Sequence, residues 1–146
     1  MPMFVDTSPP GQCIFCKLVN GEIPSAKVYE DELTIAFMDI GQACTGHVLV
    51  ASKRHAVTLL DLTPEEAAAV MKTAQRVAAA AALAFEPEGI SLFQANGVAG
   101  GQTVFHFHMH VLPRTTGDGL SITWQRKEPD AQVLNDYAQR LRAVLV

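Results

Sequence analysis

The chain has 146 residues, 49% of them apolar, and a formal charge of −4. That length fits one domain, and the apolar content supplies a core and excludes a disordered chain. The acidic balance gives no basic footprint for nucleic acid, so a phosphate-bearing ligand has to be held locally, by backbone amides and a few histidines.

Residues 1–11, rich in Pro, Ser and Gly, read as a flexible lead without the apolar run of a signal peptide. The domain proper is expected over 12–146, with the motifs in 12–113 and a strand and helix region in 114–146. After Cys13 to Val19 comes the turn Asn20-Gly21, then Ile23-Pro24. Lys27 to Tyr29 and Thr34 to Asp39 read as strands joined by the acidic turn Glu30-Asp31-Glu32, and His47 to Ala51 as a third strand.

A helix is expected from Thr63 to about Ala84. Thr63 suits the N-cap, Pro64 the first helical position, and Glu66 completes a capping box. Pro87 and Gly89 should stop it, and its broad apolar side should lie against a sheet. The apolar run from Val77 to Phe85 inside it is far too short for a membrane span. Ile90 to Gln94 and Val104 to Leu112 read as strands, separated by a glycine-rich loop from Asn96 to Gln102. Asp130 can cap a terminal helix, with Val133, Leu134, Tyr137, Leu141 and Leu145 on one face. Strands in a run, one long helix and one terminal helix indicate an α+β domain with an antiparallel sheet.

His106-Phe107-His108-Met109-His110-Val111-Leu112 is the most informative segment. Alternate residues of a strand share a face, so the histidines should line one side and Phe107, Met109 and Val111 should enter a core. Alternate positions are roughly 6.8 Å apart, so two neighbours can share a metal whereas all three cannot without bending. Three readings stand: an exposed polar face, a metal held by two or three imidazoles, or nucleophilic and acid–base catalysis by neutral imidazole. The preceding loop favours the last, because Gly97, Gly100 and Gly101 let backbone amides approach a phosphate and Gln102 and Thr103 add donors at the strand's mouth.

The segment resembles the histidine triad (HIT) family, whose signature alternates three histidines with apolar residues and ends in two apolar residues. The resemblance extends from about Gln12 to Pro113. It is carried also by Cys13-Ile14-Phe15-Cys16-Lys17, Gly21-Glu22-Ile23-Pro24, Ala36-Phe37-Met38-Asp39-Ile40, Gly46-His47-Val48-Leu49-Val50, Lys53-Arg54-His55, Asn96-Gly97 and Gly101-Gln102. It implies a HIT-like fold and a covalent mechanism in which His108 attacks the α-phosphorus of a nucleotide conjugate, with His110 helping the leaving group depart. Relatives that transfer nucleotides to sugar phosphates usually carry glutamine at the third position, so His110 favours hydrolysis over nucleotidyl transfer.

By the same resemblance Asp39 accepts hydrogen bonds from ribose hydroxyls, although an ordinary strand-end turn is an alternative. Asn96, Gln102 and Thr103 touch phosphate or bridging oxygen. His47 corresponds to a fourth histidine near the active site; on sequence alone it equally suits a hydrogen-bonded core histidine. Ile14, Phe15, Leu18, Phe37 and Ile40 wall the base, and each also suits a plain core. Gly41-Gln42 departs from the Asn-Pro of many relatives and suggests a more flexible loop beside the ribose.

Cys13-x-x-Cys16 has the spacing of two zinc thiolates, with a redox pair and two buried free cysteines as rivals. In bacterial triad proteins such a pair joins a histidine after the second motif strand and the first triad histidine. Here that set is Cys13, Cys16, His55 and His106, a structural zinc that leaves His108 and His110 to chemistry. Cys44 reads as a small apolar filler. An odd cysteine count speaks against a secreted disulfide framework and for a cytoplasmic setting.

The expectation is a homodimeric hydrolase acting on a purine nucleotide conjugate, either a nucleoside phosphoramidate or a dinucleoside polyphosphate, with neither nucleic acid nor membrane as partner. A nucleotide-binding scaffold with negligible turnover and a metallohydrolase using zinc on the triad are the alternatives.

Overall fold

The computed structural model describes residues 4–146. One antiparallel sheet carries the fold: β1 (Lys27–Glu30), β2 (Thr34–Met38), β3 (Val48–Ser52), β4 (Gly89–Phe93) and β5 (His108–Arg114), in the order β1-β2-β3-β5-β4. Three helices accompany it: α1 (Ile14–Val19), α2 (Pro64–Phe85) and α3 (Ala131–Val144). The architecture is the α+β class expected. Among the described residues no helix is long and apolar enough to cross a membrane.

Register divides the residues between the two sheet faces. Phe37 pairs with Leu49, which pairs with His110, and Ala51 pairs with Ile35 and His108. Cross-strand partners share a face, so these side chains line one side, where Phe15, Cys13 and Cys16 of the α1 segment cover part of it. Ala36, Val48, Val50, Met109 and Val111 face the other way, onto Val70, Ala74 and Val77 of α2. The two histidines of β5 thereby emerge on the side away from the long helix.

The capping box of α2 forms as the sequence requires: the Thr63 side chain accepts from Glu66 N–H, and the Glu66 carboxylate accepts from Thr63 N–H. Glu66 also takes Arg54 at 2.7 Å. The buried positions Glu66, Val70, Thr73, Ala74, Val77 and Ala81 recur at helical spacing, and the alanines allow close approach to the sheet. The stop differs in detail from the expected one. Glu86 takes the left-handed conformation at φ 46°, ahead of Pro87, while Gly89 already belongs to β4.

One further expectation is corrected. The strand expected over Val104 to Leu112 begins only at His108. Backbone hydrogen bonds just before it go elsewhere: Phe105 N–H to Asp6 and Phe107 N–H to Ala56. Part of the lead makes contacts here. Residues 1–3 of it lie outside the described residues, but Asp6 bonds Thr103 and Phe105 through its backbone and caps α1 by accepting Ile14 N–H at 2.8 Å. The terminal helix starts where Asp130 predicts, yet none of its residues is buried.

Candidate active site

A cleft of about 360 Å³ is lined by Phe4, Ile14, Phe15, Asp39, Ile40, Gly41, Leu49, Thr103, Val104, His108 and His110. A smaller cavity of about 160 Å³ shares the wall of Ile14, Phe15, Asp39, Ile40 and Leu49, and adds Leu18 and Phe37. Every residue expected to wall a base thus lines at least one of these two cavities; Asp39 lines both, and His108 and His110 line the larger of the pair. The larger hollow of about 610 Å³, between Gln42, Phe85 and Asp118, holds no histidine.

Hydrogen bonds fix the protonated nitrogen of each triad ring, from a backbone carbonyl for His106 and His108 and from the His47 side chain for His110. His108 Nδ1–H donates to the carbonyl of His106 at 2.7 Å, which leaves its Nε2 with a lone pair. No buried side-chain nitrogen or oxygen among the described residues lacks a partner. The unbonded Nε2 of His108 therefore reaches the cleft, although the residue is only 8% exposed. Phe15 stands edge-on to the ring at 4.9 Å between centroids and holds its plane.

His47 and His110 form a second unit. Ala43 N–H donates to His47 Nδ1 at 3.1 Å, and a backbone amide can only donate, so the proton of neutral His47 sits on Nε2. That Nε2–H points to His110 Nδ1 at 2.8 Å, with Asp39 Oδ2 3.5 Å away. His110 Nδ1 is then an acceptor, and its own proton lies on Nε2, aimed at the cleft. Burial keeps both rings neutral: it lowers the pKa of His47, and with the neighbouring His108 and His47 it takes His110 down to about 3. The cleft thus offers one lone pair, from His108, beside one N–H donor, from His110.

His106 turns away from these two. Its Nε2–H donates to Ser52 O at 2.6 Å, so its Nδ1 lone pair faces Cys13 Sγ at 3.3 Å and Cys16 Sγ at 3.5 Å. His55 Nδ1 lies 3.2 Å from Cys16 and 3.5 Å from Cys13. The four ligand atoms fall within 4.8 Å of one another. A tetrahedral zinc sets sulfur and nitrogen ligands roughly 3.6 Å apart, by the usual bond lengths, and these distances fit. Burial raises the Cys13 thiol to about 11, so without a cation it stays protonated; a metal would favour the thiolate. These four residues could hold a metal ion.

The glycine loop, expected to cradle phosphate, is internally bonded. Three of its amides are engaged within the loop: Gly100 and Gln102 N–H on Gly97 O, Gly101 N–H on Val98 O. The buried Gln102 accepts Gly97 N–H at 2.8 Å and donates to Val57 O and Val104 O, which occupies its donors and turns it into a brace for the loop. Asn96 accepts Leu59 N–H and pairs with Gln94, outside the cleft. Of the three residues expected at the phosphate, Thr103 alone lines the cavity. Phe4 and the Ala43 amide contribute in ways that no spacing in the sequence signalled, because both act through tertiary contacts.

Comparison with known proteins agrees with this geometry. A HIT domain model matches residues 20–117. The Bacillus subtilis Protein hit is 44% identical over 119 residues, covering 81% of this chain and 82% of its own. Adenosine 5'-monophosphoramidase hnt1 of Schizosaccharomyces pombe is 37% identical, over 77% of this chain and 82% of its own. The crystal structure of a HIT family protein from Bacillus anthracis superposes with a TM-score of 0.90 at 38% identity, covering 94% of this chain and all (100%) of that one. A Zn-bound histidine triad family protein from Mycobacterium smegmatis gives 0.72 at 37% identity, over 90% and 96% of the two chains. The chain belongs to the HIT domain family.

Proposed function

We propose that the protein hydrolyses a purine nucleotide conjugate, a nucleoside phosphoramidate or a dinucleoside polyphosphate, through a nucleotidyl group carried on His108. The observation that carries this reading is the His108 tautomer: its Nδ1–H bonded to the His106 carbonyl and its Nε2 lone pair free at the cleft. In the first step that lone pair attacks the α-phosphorus, and the phosphorus bond to the leaving nitrogen or oxygen breaks with its electron pair. His110 Nε2–H hydrogen-bonds the developing charge. A departing amine takes up a proton from solvent. In the second step water adds to phosphorus, the P–N bond to His108 breaks, the neutral imidazole returns and a proton goes back to solvent.

Asp39 would accept the ribose hydroxyls, with Ile14, Phe15, Leu18, Phe37 and Ile40 around the base and Thr103 at the phosphate. His47 would act through His110. The name of the phosphoramidase relative supports the P–N branch. Cys13, Cys16, His55 and His106 would hold zinc as a structural ion, tying the α1 segment to the strand that carries the nucleophile. The three cysteines are free, which suits a reducing cytoplasm, and the charge of −4 argues against nucleic acid.

A homodimer would form along β4. The outer strand β1 carries Lys27 and Glu30, charges that guard an edge, whereas β4 reads Gly-Ile-Ser-Leu-Phe with Ile90, Leu92 and Phe93 exposed.

The test is a rapid quench in alkaline denaturant, which spares a phosphorus–nitrogen bond that acid would cleave, of enzyme turning over an adenosine phosphoramidate. A gain of one adenylyl group on the peptide containing His108 supports the reading, and turnover without it overturns the covalent route.

A further inference from the structure

Between Asp39, which the nucleotide reading sets at the ribose, and His47, which supports His110, the chain makes a connection of seven residues (40–46). A loop of that length, with two glycines and exposed through residue 43, has no intrinsic reason to keep one shape. The β2–β3 ladder, which runs to the Met38–Val48 pair, brings its ends together, and one side chain braces what lies between. Gln42 Oε1 accepts Gly46 N–H and His47 N–H, each at 3.0 Å, while Gln42 Nε2 donates to His47 O at 2.8 Å and to Asp39 O. A carboxamide offers two hydrogens and two acceptor sites, and all four are used on the backbone of the two ends. Beyond the strand ladder, Asp39 N–H also donates to His47 O at 3.1 Å.

The consequence lies one residue further on. With Gln42 clamped, the next amide, Ala43 N–H, is delivered to His47 Nδ1. We propose that Gln42 is a positioning residue: by bracing residues 39–47 it sets the His47 tautomer through Ala43, and so makes His110 face the substrate with an N–H and not a lone pair. The inference rests on the hydrolase reading only for its effect on rate; the tautomer itself is independent of it.

The alternative arrangement shows why this matters. If Ala43 N–H is withdrawn, His47 can carry its proton on Nδ1 and present a lone pair at Nε2. His110 would then donate from Nδ1 to His47 and turn an unprotonated Nε2 toward an anionic phosphate. One charge-assisted hydrogen bond would be replaced by a repulsive contact, a change worth about 10- to 100-fold in kcat/KM.

The test uses the full chain labelled with 15N at histidine. In the wild type the long-range 1H–15N spectrum should give His47 as the Nε2–H tautomer. Gln42→Ala should convert it to a mixture or to Nδ1–H, and lower kcat/KM for an adenosine phosphoramidate about 10- to 100-fold. Ala43→Pro removes the donating amide while leaving Gln42 in place, and should shift the same resonances. Thermal melting checks that each variant stays folded, and if Gln42→Ala does not, Gln42→Glu, which loses both Nε2 donations and keeps an acceptor, carries the test.

Single-tautomer Nε2–H His47 in the folded variants overturns the proposal, as does a wild type with Nδ1–H. A merely structural role for Gln42 would lower activity without moving the tautomer. If the wild type shows the expected tautomer but turns over neither an adenosine phosphoramidate nor a diadenosine polyphosphate, the hydrolase reading fails and the positioning role stands on the spectra.

Discussion

His108 and His106 are coupled through the backbone: the ring of the first donates to the carbonyl of the second at 2.7 Å, while the ring of the second turns to Cys13 and Cys16. The peptide that orients the His108 ring is thus anchored at the possible metal cluster. Replacing His108 by Ala removes the nitrogen proposed to attack phosphorus and leaves Asp39, Ile14 and Phe15 where they are. Turnover of an adenosine phosphoramidate should fall by roughly 1,000-fold or more, while the Kd for AMP, measured calorimetrically, should change less than about 10-fold. A variant that keeps its turnover would remove His108 from the chemistry.

Activity and stability should part company in acid. Burial lowers the pKa of His108, so its nucleophilic neutral form persists below the ordinary histidine value of 6.5. The acid limb of kcat/KM should lie below that pH. For His110 the folded value is about 3 against 6.5, so between these pH values the unfolded chain binds more protons. Stability is full above about pH 6.5 and falls as pH drops toward 3. Urea midpoints from pH 7.5 to 4.5 should decline less steeply for His110→Asn than for the wild type; equal slopes would mean that His110 is not the buried neutral ring described here.

Metal at the four-ligand cluster should act on the fold before it acts on the rate. An ion present at a thousandfold its dissociation constant adds about 4 kcal/mol to stability, roughly 8–16 °C in Tm for a chain of this size. Chelation should lower Tm on that scale, and Cys16→Ser should abolish the difference. At a temperature where the stripped protein is still folded, activity should persist. Its complete loss there, restored by zinc, would favour an ion that takes part in the reaction.

Local signals in the sequence were legible where chemistry is local. Thr63, Pro64 and Glu66 announced α2 because a capping box needs only its own four residues. The alternation after His108 announced β5 and its two faces. The metal set followed from family resemblance, and its residues do converge, although His55 and Cys13 are 42 positions apart. What could not be read depends on partners distant in the chain. His106 left the ladder because Asp6 and Ala56 took the neighbouring backbone amides. Gln102 looked like a phosphate donor by position, yet Val57 and Val104 claim its amide. Gly41-Gln42 suggested a looser loop, and Gln42 instead braces it with its own side chain.

Self-association should run through β4. Its Leu92 is 46% exposed and adjoins Met71, 51% exposed, across a shallow hollow that Gln75 and Ala78 of α2 also line. An unpaired strand edge with apolar side chains on both faces is a template for a second identical strand, and a twofold axis through β4 would join two sheets into one. The wild type should sediment as a dimer at micromolar concentration. Leu92→Lys places a charge on that edge, and should yield a monomer with its far-UV spectrum unchanged, because no buried contact of the protomer is lost. Lys27→Leu, on the opposite edge, should leave the sedimentation coefficient as it was. A wild type that sediments as a monomer, or a dimer indifferent to Leu92→Lys, would put the interface elsewhere or nowhere. The exposed apolar face of α3, with Leu134, Tyr137 and Leu141, would then be the next surface to charge.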